Sequence, residues 1–205
     1  MNNQISWANP STAGIVGLCC VVIPLSLLNL GVLPPESAPI IIAWLICGGL
    51  VQVITGLIEF KRGGLLFATP FLVFGFALCI TPALGEITKI WIKDMAVPPA
   101  VSGAGFLVIA VYVAAFFIST GLVSRLLFIL CAMLDLGLWL VGLTDVGLIS
   151  AGAFGWTCLL IFALGMLYVA CALFLNEMFQ KQILPIGAPL FKPGAQVESG
   201  ENVAS

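Results

Sequence analysis

An uncharged apolar run at residues 15–33 restricts the possible folds of this chain more than any other feature. It is long enough to cross the roughly 30 Å hydrocarbon core of a bilayer as a helix. Five more such runs follow, and the sequence is 61% hydrophobic and 8% charged, with a mean hydropathy of +1.22. A soluble domain needs more surface charge, and barrel strands would alternate polar and apolar residues. The sequence predicts an all-α integral membrane protein with six transmembrane helices.

The six predicted spans are separated by prolines, glycines and charged residues. They cover residues 10–33, 38–60, 65–84, 99–122, 125–146 and 148–179. The third span contains Pro70 and Pro82, and a polar segment at 85–97 follows it. The first run lacks a basic leader and a convincing cleavage site, so we interpret it as a retained helix. We expect residues 1–184 to form one transmembrane domain and residues 185–205 a frayed cytoplasmic tail.

Polar residues immediately precede the first run. Asn9 is a favourable N-cap, and Pro10 suits the first helical position because no backbone N–H is needed there. A polar cap on an apolar helix puts free N–H donors at the membrane boundary. Because a helix N-terminus also carries partial positive charge, this boundary is suited to receive a small anion.

The basic residues predict the orientation of the chain in the membrane. One side of the predicted bundle carries Lys61, Arg62, Arg125, Lys181 and Lys192. The other side carries Lys89 and Lys93, next to Glu86 and Asp94. We therefore expect a multi-pass protein of the inner (plasma) membrane with both termini in the cytoplasm.

The residue types give no support to several classes of function. The seven cysteines all lie in apolar runs without metal-ligand spacing, and the chain has no histidine. The simplest interpretation of the cysteines is as small buried hydrophobic side chains. The sequence contains no catalytic triad, phosphate-binding glycine loop or zinc motif, and its seven basic residues form no nucleic-acid patch. We therefore predict no enzymatic activity, metal, other cofactor or nucleic-acid partner.

Polar side chains inside the predicted spans are candidates for function, because they are costly to place in lipid. Gln52 and Glu59 lie seven residues apart in the second span and share one side of the helix. Gln52 either lines a pore or bonds a neighbouring helix. Glu59 either lines a pore or ends the helix as a partner of nearby basic residues. Most of the other polar residues in the spans are weaker candidates for function, because hydroxyl side chains often bond the backbone of their own helix. These other residues are Ser26, Asn29, Thr55, Ser119 and Thr120.

Asp135 is the most unusual of the polar residues. It follows Arg125 by ten residues, which places it about 15 Å into the membrane at the helical rise. An ionised carboxylate at that depth is costly unless it is paired, hydrogen-bonded or hydrated. Trp139 lies one turn further along the same face. Two interpretations stay open: a pore-facing carboxyl that binds a proton, and a carboxyl bonded by neighbouring helices or at a subunit interface.

Residues 8–15 read Ala-Asn-Pro-Ser-Thr-Ala-Gly-Ile. This stretch resembles the Asn-Pro-Ala-Pro-Leu-Gly-Leu signature of the acetate uptake transporter family, the succinate–acetate permeases. It keeps Asn9, Pro10 and Gly14 but has Thr12 in place of the second proline.

Two further stretches carry the same resemblance. Residues 48–63 are similar to the second helix of the family and its exit. Residues 175–187, which include Asn176 and Glu177, are similar to its C-terminal end. With the signature, they extend the resemblance over nearly the whole chain.

The resemblance implies a six-helix protomer with a pore inside each protomer, assembled as a homohexamer. It also implies a constriction at Leu18, Phe74 and Leu134. Leu18 replaces a Phe and Phe74 replaces a Tyr of the family, so one hydroxyl is lost, and Asp135 is not part of the family pattern. The predicted substrate and pore residues are Asn9, Leu18, Ser26, Gln52, Thr55, Glu59, Phe74, Leu134, Asp135, Asn176 and Glu177.

Three functions are compatible with these observations. The resemblance favours a transporter or channel for acetate or a similar short-chain carboxylate, linked to protons. The apolar first helix favours a channel for small neutral solutes such as urea, short amides or gases, because an ionised Asp135 would repel an anion. Loss of polar pore residues would also suit a structural or sensory membrane protein with a closed pore.

Overall fold

A computed structural model gives the fold of the protein and describes residues 7–92 and 98–192. Seven α-helices run through these residues, and no strand occurs among them. They are α1 (Ser11–Asn29), α2 (Ala38–Lys61), α3 (Leu65–Val73), α4 (Thr81–Trp91), α5 (Pro99–Thr120), α6 (Arg125–Asp145) and α7 (Gly152–Phe179). A short 3₁₀ segment, Pro35–Ser37, leads into α2, and a π segment, Phe74–Ile80, joins α3 to α4.

Six spans are long and apolar enough to cross a membrane. They are Ser11–Asn29, Pro35–Lys61, Leu65–Thr88, Pro99–Thr120, Arg125–Asp145 and Gly152–Met178. The predicted fold class, an all-α membrane protein with six transmembrane helices, is therefore confirmed.

Three of the predicted boundaries were wrong. The sixth span begins at Gly152 and not at 148, because the chain turns at Gly147, which adopts a φ of +81°. The first span ends at Asn29 and not at 33, because Gly31 adopts a φ of +73° and the chain turns there.

The third span does not stop at 84 but continues as α4 to Trp91. The carbonyl that the Pro82 ring would meet in an α-helix, that of Leu78, lies in the π segment, where the turn is wider. Pro82 therefore marks a change of helix type and not the end of the span.

The six spans close into a ring. Going round it, α1 packs against α2, α2 against α3, α3 against α5, α5 against α6, α6 against α7, and α7 against α1. Glycines allow the close approaches: a Cβ on Gly48 would lie 2.7 Å from the Gly17 carbonyl oxygen, and one on Gly103 would lie 2.8 Å from that of Gly142. These contacts join α1 to α2 and α5 to α6, as expected where lipid supplies no hydrophobic drive between helices.

Residues 183–191, which we call the strap, fold back onto the end of the bundle. The Asn176 side chain accepts the N–H groups of Ile183 and Leu184 at 2.6 and 3.0 Å and donates to the Leu184 carbonyl at 2.8 Å. Further along, Ser124 Oγ donates to the Ile186 carbonyl at 2.6 Å. The prediction of a frayed tail from residue 185 is therefore wrong for this segment, because these bonds fix its backbone. Residues 193–205 lie outside the described part of the chain.

The strap also covers the turn between α5 and α6. The Arg125 N–H donates to the Ala188 carbonyl at 2.9 Å, and the Gly121 carbonyl accepts the N–H groups of Leu190 and Phe191. The Phe191 ring packs edge-on against Phe128 with centroids 5.8 Å apart. The strap thus supplies backbone partners to a helix–helix connection at one end of the ring.

Candidate functional site

Four cavities follow one another through the ring of helices. The first mouth, of 310 Å³, lies where α1 begins and α2 ends. It shares Ile15, Phe67 and Leu127 with the first chamber, a cavity of 40 Å³. A second chamber of 70 Å³ comes next, followed by the second mouth of 390 Å³. Shared lining residues connect each cavity to the next, so the series marks a route through a single protomer.

The first mouth holds a carboxylate that is bonded on both sides. Glu59 is only 5% exposed, and its Oε1 accepts the Ser11 hydroxyl at 2.7 Å and Arg62 Nη1 at 3.2 Å. Asn9 Oδ1 accepts the Ser11 N–H at 2.9 Å and so satisfies a free donor at the start of α1. A Cβ on Gly64 would lie 2.6 Å from Glu59 Oε2, so the turn at Gly64 has room for the Glu59 carboxylate but not for a further side chain. The mouth therefore combines a helix N-terminus, a neutralised carboxylate and an arginine.

The two chambers are apolar. Their walls present only apolar surface, although Gln52 is among the residues of the second chamber. The fully buried Gln52 side chain donates through Nε2 to Cys79 Sγ at 3.2 Å, with a longer contact of 3.5 Å to the Gly48 carbonyl. Its Oε1 has no hydrogen-bond partner among the described residues. An anion loses its hydration in such a place without gaining donors, which makes the chambers costly for a carboxylate.

The three predicted constriction residues lie together. Leu18, Phe74 and Leu134 are all buried and all line the second chamber. Phe74 stands in the π segment, and its ring meets that of Phe116 edge-on with centroids 6.3 Å apart. π turns are rare and frequently occur at functional sites, so the location of Phe74 is consistent with a role in passage.

The second mouth is acidic. Asp145 at the end of α6 and Glu86 in α4 both line it, with Asn29 and Ser102. Asn29 Nδ2 donates to the Leu25 carbonyl one turn earlier at 2.9 Å.

Several predicted site residues lie away from these cavities. Ser26 and Thr55 are buried between helices, and Thr55 packs where a Cβ on Gly14 would lie. Asn176 anchors the strap, and Glu177 is exposed. None of the four lines the mouths or chambers.

Asp135 lies on a different face of α6 from Leu134 and lines none of the four cavities. Its side chain is half-buried, bonds Trp139 and leaves Oδ1 buried without a partner among the described residues. Asp135 lies seven residues from both Phe128 and Gly142, which contact α5. Because residues seven apart share one side of a helix, Asp135 lies on the side of α6 that faces α5. This placement gives no support to a pore-facing carboxyl, and the bond to Trp139 lies within α6 and does not join two helices.

Comparison with known proteins gives a consistent relationship. The succinate-acetate/proton symporter SatP of Escherichia coli strain K12 is 28% identical over 186 residues, which cover 88% of this chain and 95% of the relative. The SatP of Shigella flexneri matches to the same extent. The solved structure of the bacterial acetate channel SatP covers 89% of this chain and 100% of its own, with a TM-score of 0.82 and 27% identity. The chain is a homologue of SatP. No protein-family model matches it.

Homology to SatP confirms the resemblance inferred from the three sequence stretches. The structure of this SatP homologue also adds lining residues that the sequence did not single out. Phe162 of α7 lines both chambers, and Asp145 lines the second mouth. Phe162 is one apolar residue in an almost wholly apolar helix, so no pattern distinguishes it. Asp145 gave a usable signal, since it is an acidic residue at the end of a predicted span.

Proposed function

We propose that this protein moves acetate or a similar short-chain carboxylate, together with a proton, across the plasma membrane. The observation that carries the proposal is the route of four cavities through one protomer, with polar mouths at both ends and apolar chambers between them. Homology to a protein named succinate-acetate/proton symporter and to a structure described as an acetate channel supports the same substrate.

The chambers suggest why a proton would accompany the carboxylate. Transfer of an ionised carboxylate into an apolar site without partners is far more costly than transfer of the neutral acid. A carboxylate that binds at a polar mouth and takes up a proton there can cross the chambers as the neutral acid. Release at the other mouth, where water is available, returns the proton. The chain itself need only exclude the ion and offer a passage of the right width.

A second candidate function rests on the same apolar chambers. A channel for small neutral solutes such as urea or short amides would need no proton, and the walls of both chambers carry no charge. Uptake of urea independent of pH would favour it over carboxylate transport.

Reconstitution into proteoliposomes tests the two functions directly. We expect radiolabelled acetate uptake that rises when the outside is acidified and urea uptake no faster than in protein-free liposomes, which also correct for free diffusion of acetic acid. Leu18→Trp should block the junction between the chambers and stop acetate uptake. Val16→Trp, a change on the exposed face of the same helix, is the matched control. Acetate uptake equal to that of protein-free liposomes would contradict the proposal.

The assembly and orientation are part of the same proposal. We infer a homohexamer from the family and from the many apolar side chains that face outward from the protomer, such as Val108, Val111 and Ile118 of α5. We place both termini in the cytoplasm because the described basic residues Lys61, Arg62, Arg125, Lys181 and Lys192 cluster at the end of the first mouth. Lys93 and Asp94 of the opposite side lie outside the described residues. Native mass spectrometry in mild detergent and protease accessibility of the tail in oriented vesicles test the two statements.

A further inference from the structure

We infer that Phe162 is a specificity-determining residue, because it forms the third side of the narrowest part of the route, between the two chambers. The inference rests on the proposed function only for the identity of the solute. The resemblance to the family pointed to Leu18, Phe74 and Leu134, and did not include Phe162.

The lining of the two chambers locates the narrow part. Among the described residues, the side chains common to both chambers are Leu18, Phe74 and Phe162. Leu134 lines the second chamber but not the first. A residue that borders both cavities stands between them, so the ring of Phe162 occupies the junction and Leu134 lies to one side of it.

The backbone around the junction is held in place on each side. Phe162 is 2% exposed and is one of the largest fully buried side chains of the described residues. Next to it, the Ala163 carbonyl accepts the thiol of Cys19 at 3.3 Å, and this bond fixes α7 to α1 beside Leu18. Across the junction, the Phe116 ring braces Phe74. The width of the narrow part is therefore determined by the sizes of the Leu18, Phe74 and Phe162 side chains, whose helices are fixed.

The size of Phe162 should limit which solutes pass. Replacing its ring by a methyl group would join the 40 and 70 Å³ chambers into one cavity that also contains the volume of the ring. A longer acid such as butyrate would then fit, whereas acetate would gain little. A larger ring at the same place would close the route to both.

Initial uptake rates of acetate and butyrate in proteoliposomes test the inference. We expect Phe162→Ala to raise the butyrate-to-acetate ratio about tenfold or more, in line with the discrimination that one or two methylenes provide in an apolar pocket. Phe162→Leu should raise it less, and Phe162→Trp should abolish acetate uptake. Phe154→Ala is the matched control, since Phe154 is 61% exposed on the same helix, and should leave the ratio unchanged.

Size-exclusion profiles identify which variants fold. If Phe162→Ala does not fold, the uptake ratio of Phe162→Leu is used as the test. An unchanged ratio in the folded smaller variants, together with normal acetate uptake in Phe162→Trp, overturns the inference. A rise in ratio for Leu134→Ala alone would also overturn it. If the wild type passes no carboxylate, the proposed function is wrong, but the uptake rates of acetamide and butyramide can still test the inference about Phe162. If the wild type passes none of these solutes, Phe162→Ala must open the route to at least the smallest of them, or the inference is wrong.

Discussion

The two mouths of the route differ in charge and in construction. At the first mouth, one carboxylate, Glu59, is neutralised by Arg62 and bonded to Ser11, and Ile186 of the strap forms part of the wall. At the second mouth, the acidic residues Asp145 and Glu86 form part of the lining. Because Arg62 balances the charge of Glu59, an anion can approach the first mouth against little repulsion, whereas the carboxylate of Asp145 would repel it at the second. We therefore expect the two mouths to respond differently to the loss of one carboxylate.

The largest expected effect comes from loosening the strap over the first mouth. Asn176→Ala removes three hydrogen bonds to residues 183 and 184. At about 1 kcal/mol for each bond, the free energy of unfolding should fall by about 2–3 kcal/mol. Thermal unfolding in detergent measures the loss. Gln180→Ala, which removes one bond within the same helix end, should change stability by less than half as much. Equal stability of the two variants would show that the strap is not held through Asn176.

The second effect concerns the charge balance of the first mouth. Glu59→Gln keeps an acceptor for Ser11 but releases the Arg62 charge toward the cavity. We expect the apparent KM for acetate to fall about fivefold at low ionic strength, which corresponds to about 1 kcal/mol of added attraction, and the gain to shrink at high salt. Uptake kinetics measure the apparent KM in vesicles in which the first mouth faces outward. Glu177→Gln, at an exposed carboxylate of the same end, should leave KM unchanged. A KM that does not respond to salt would exclude the charge explanation.

A smaller change is expected at the second mouth. Asp145→Asn removes the negative charge of this side chain, so the repulsion of the acetate ion decreases. Uptake from this side should rise about twofold at neutral pH and low ionic strength, because water and salt weaken the interaction between charges at an open mouth. Glu36→Gln, on the exposed 3₁₀ segment outside the lining of this mouth, is the control. Equal uptake by Asp145→Asn and wild type would mean that the acidic character of this mouth does not affect entry.

The smallest effect on transport is expected from Asp135→Asn. Because Asp135 lines none of the four cavities, its loss should leave the dependence of acetate uptake on the pH gradient as in the wild type. We expect thermal stability to change instead, since Asp135 is half-buried and bonds Trp139 one turn further along α6. Uptake measured against external pH for both proteins decides the point. A weakened pH dependence with normal folding would restore Asp135 as the proton site.

The sequence predicted the parts of this protein that follow from local rules. The six spans and the shared helix side of Gln52 and Glu59 come from hydrophobicity and helical period. The family resemblance added Leu18, Phe74 and Leu134, which no periodicity would have separated from other apolar residues.

The remaining features depend on contacts that the sequence does not encode locally. The strap is fixed by bonds between distant backbone groups, such as those from Leu190 and Phe191 to Gly121. The continuation of the third span past Pro82 depends on the change to π turns. The role of Phe162 is invisible in α7 because hydrophobic residues surround it on every face, and only the ring of neighbouring helices determines which one points inward.

The strap also has a consequence for the biogenesis of the protein. Its residues are synthesised after all seven helices, yet they supply the partners of the Gly121 carbonyl and the Arg125 N–H at the turn between α5 and α6. That turn therefore emerges from the ribosome before its partners exist, and its polar groups can bond only water until the strap follows. A chain interrupted before the strap would leave them exposed, which offers cellular quality control a means to distinguish an unfinished copy from a finished one.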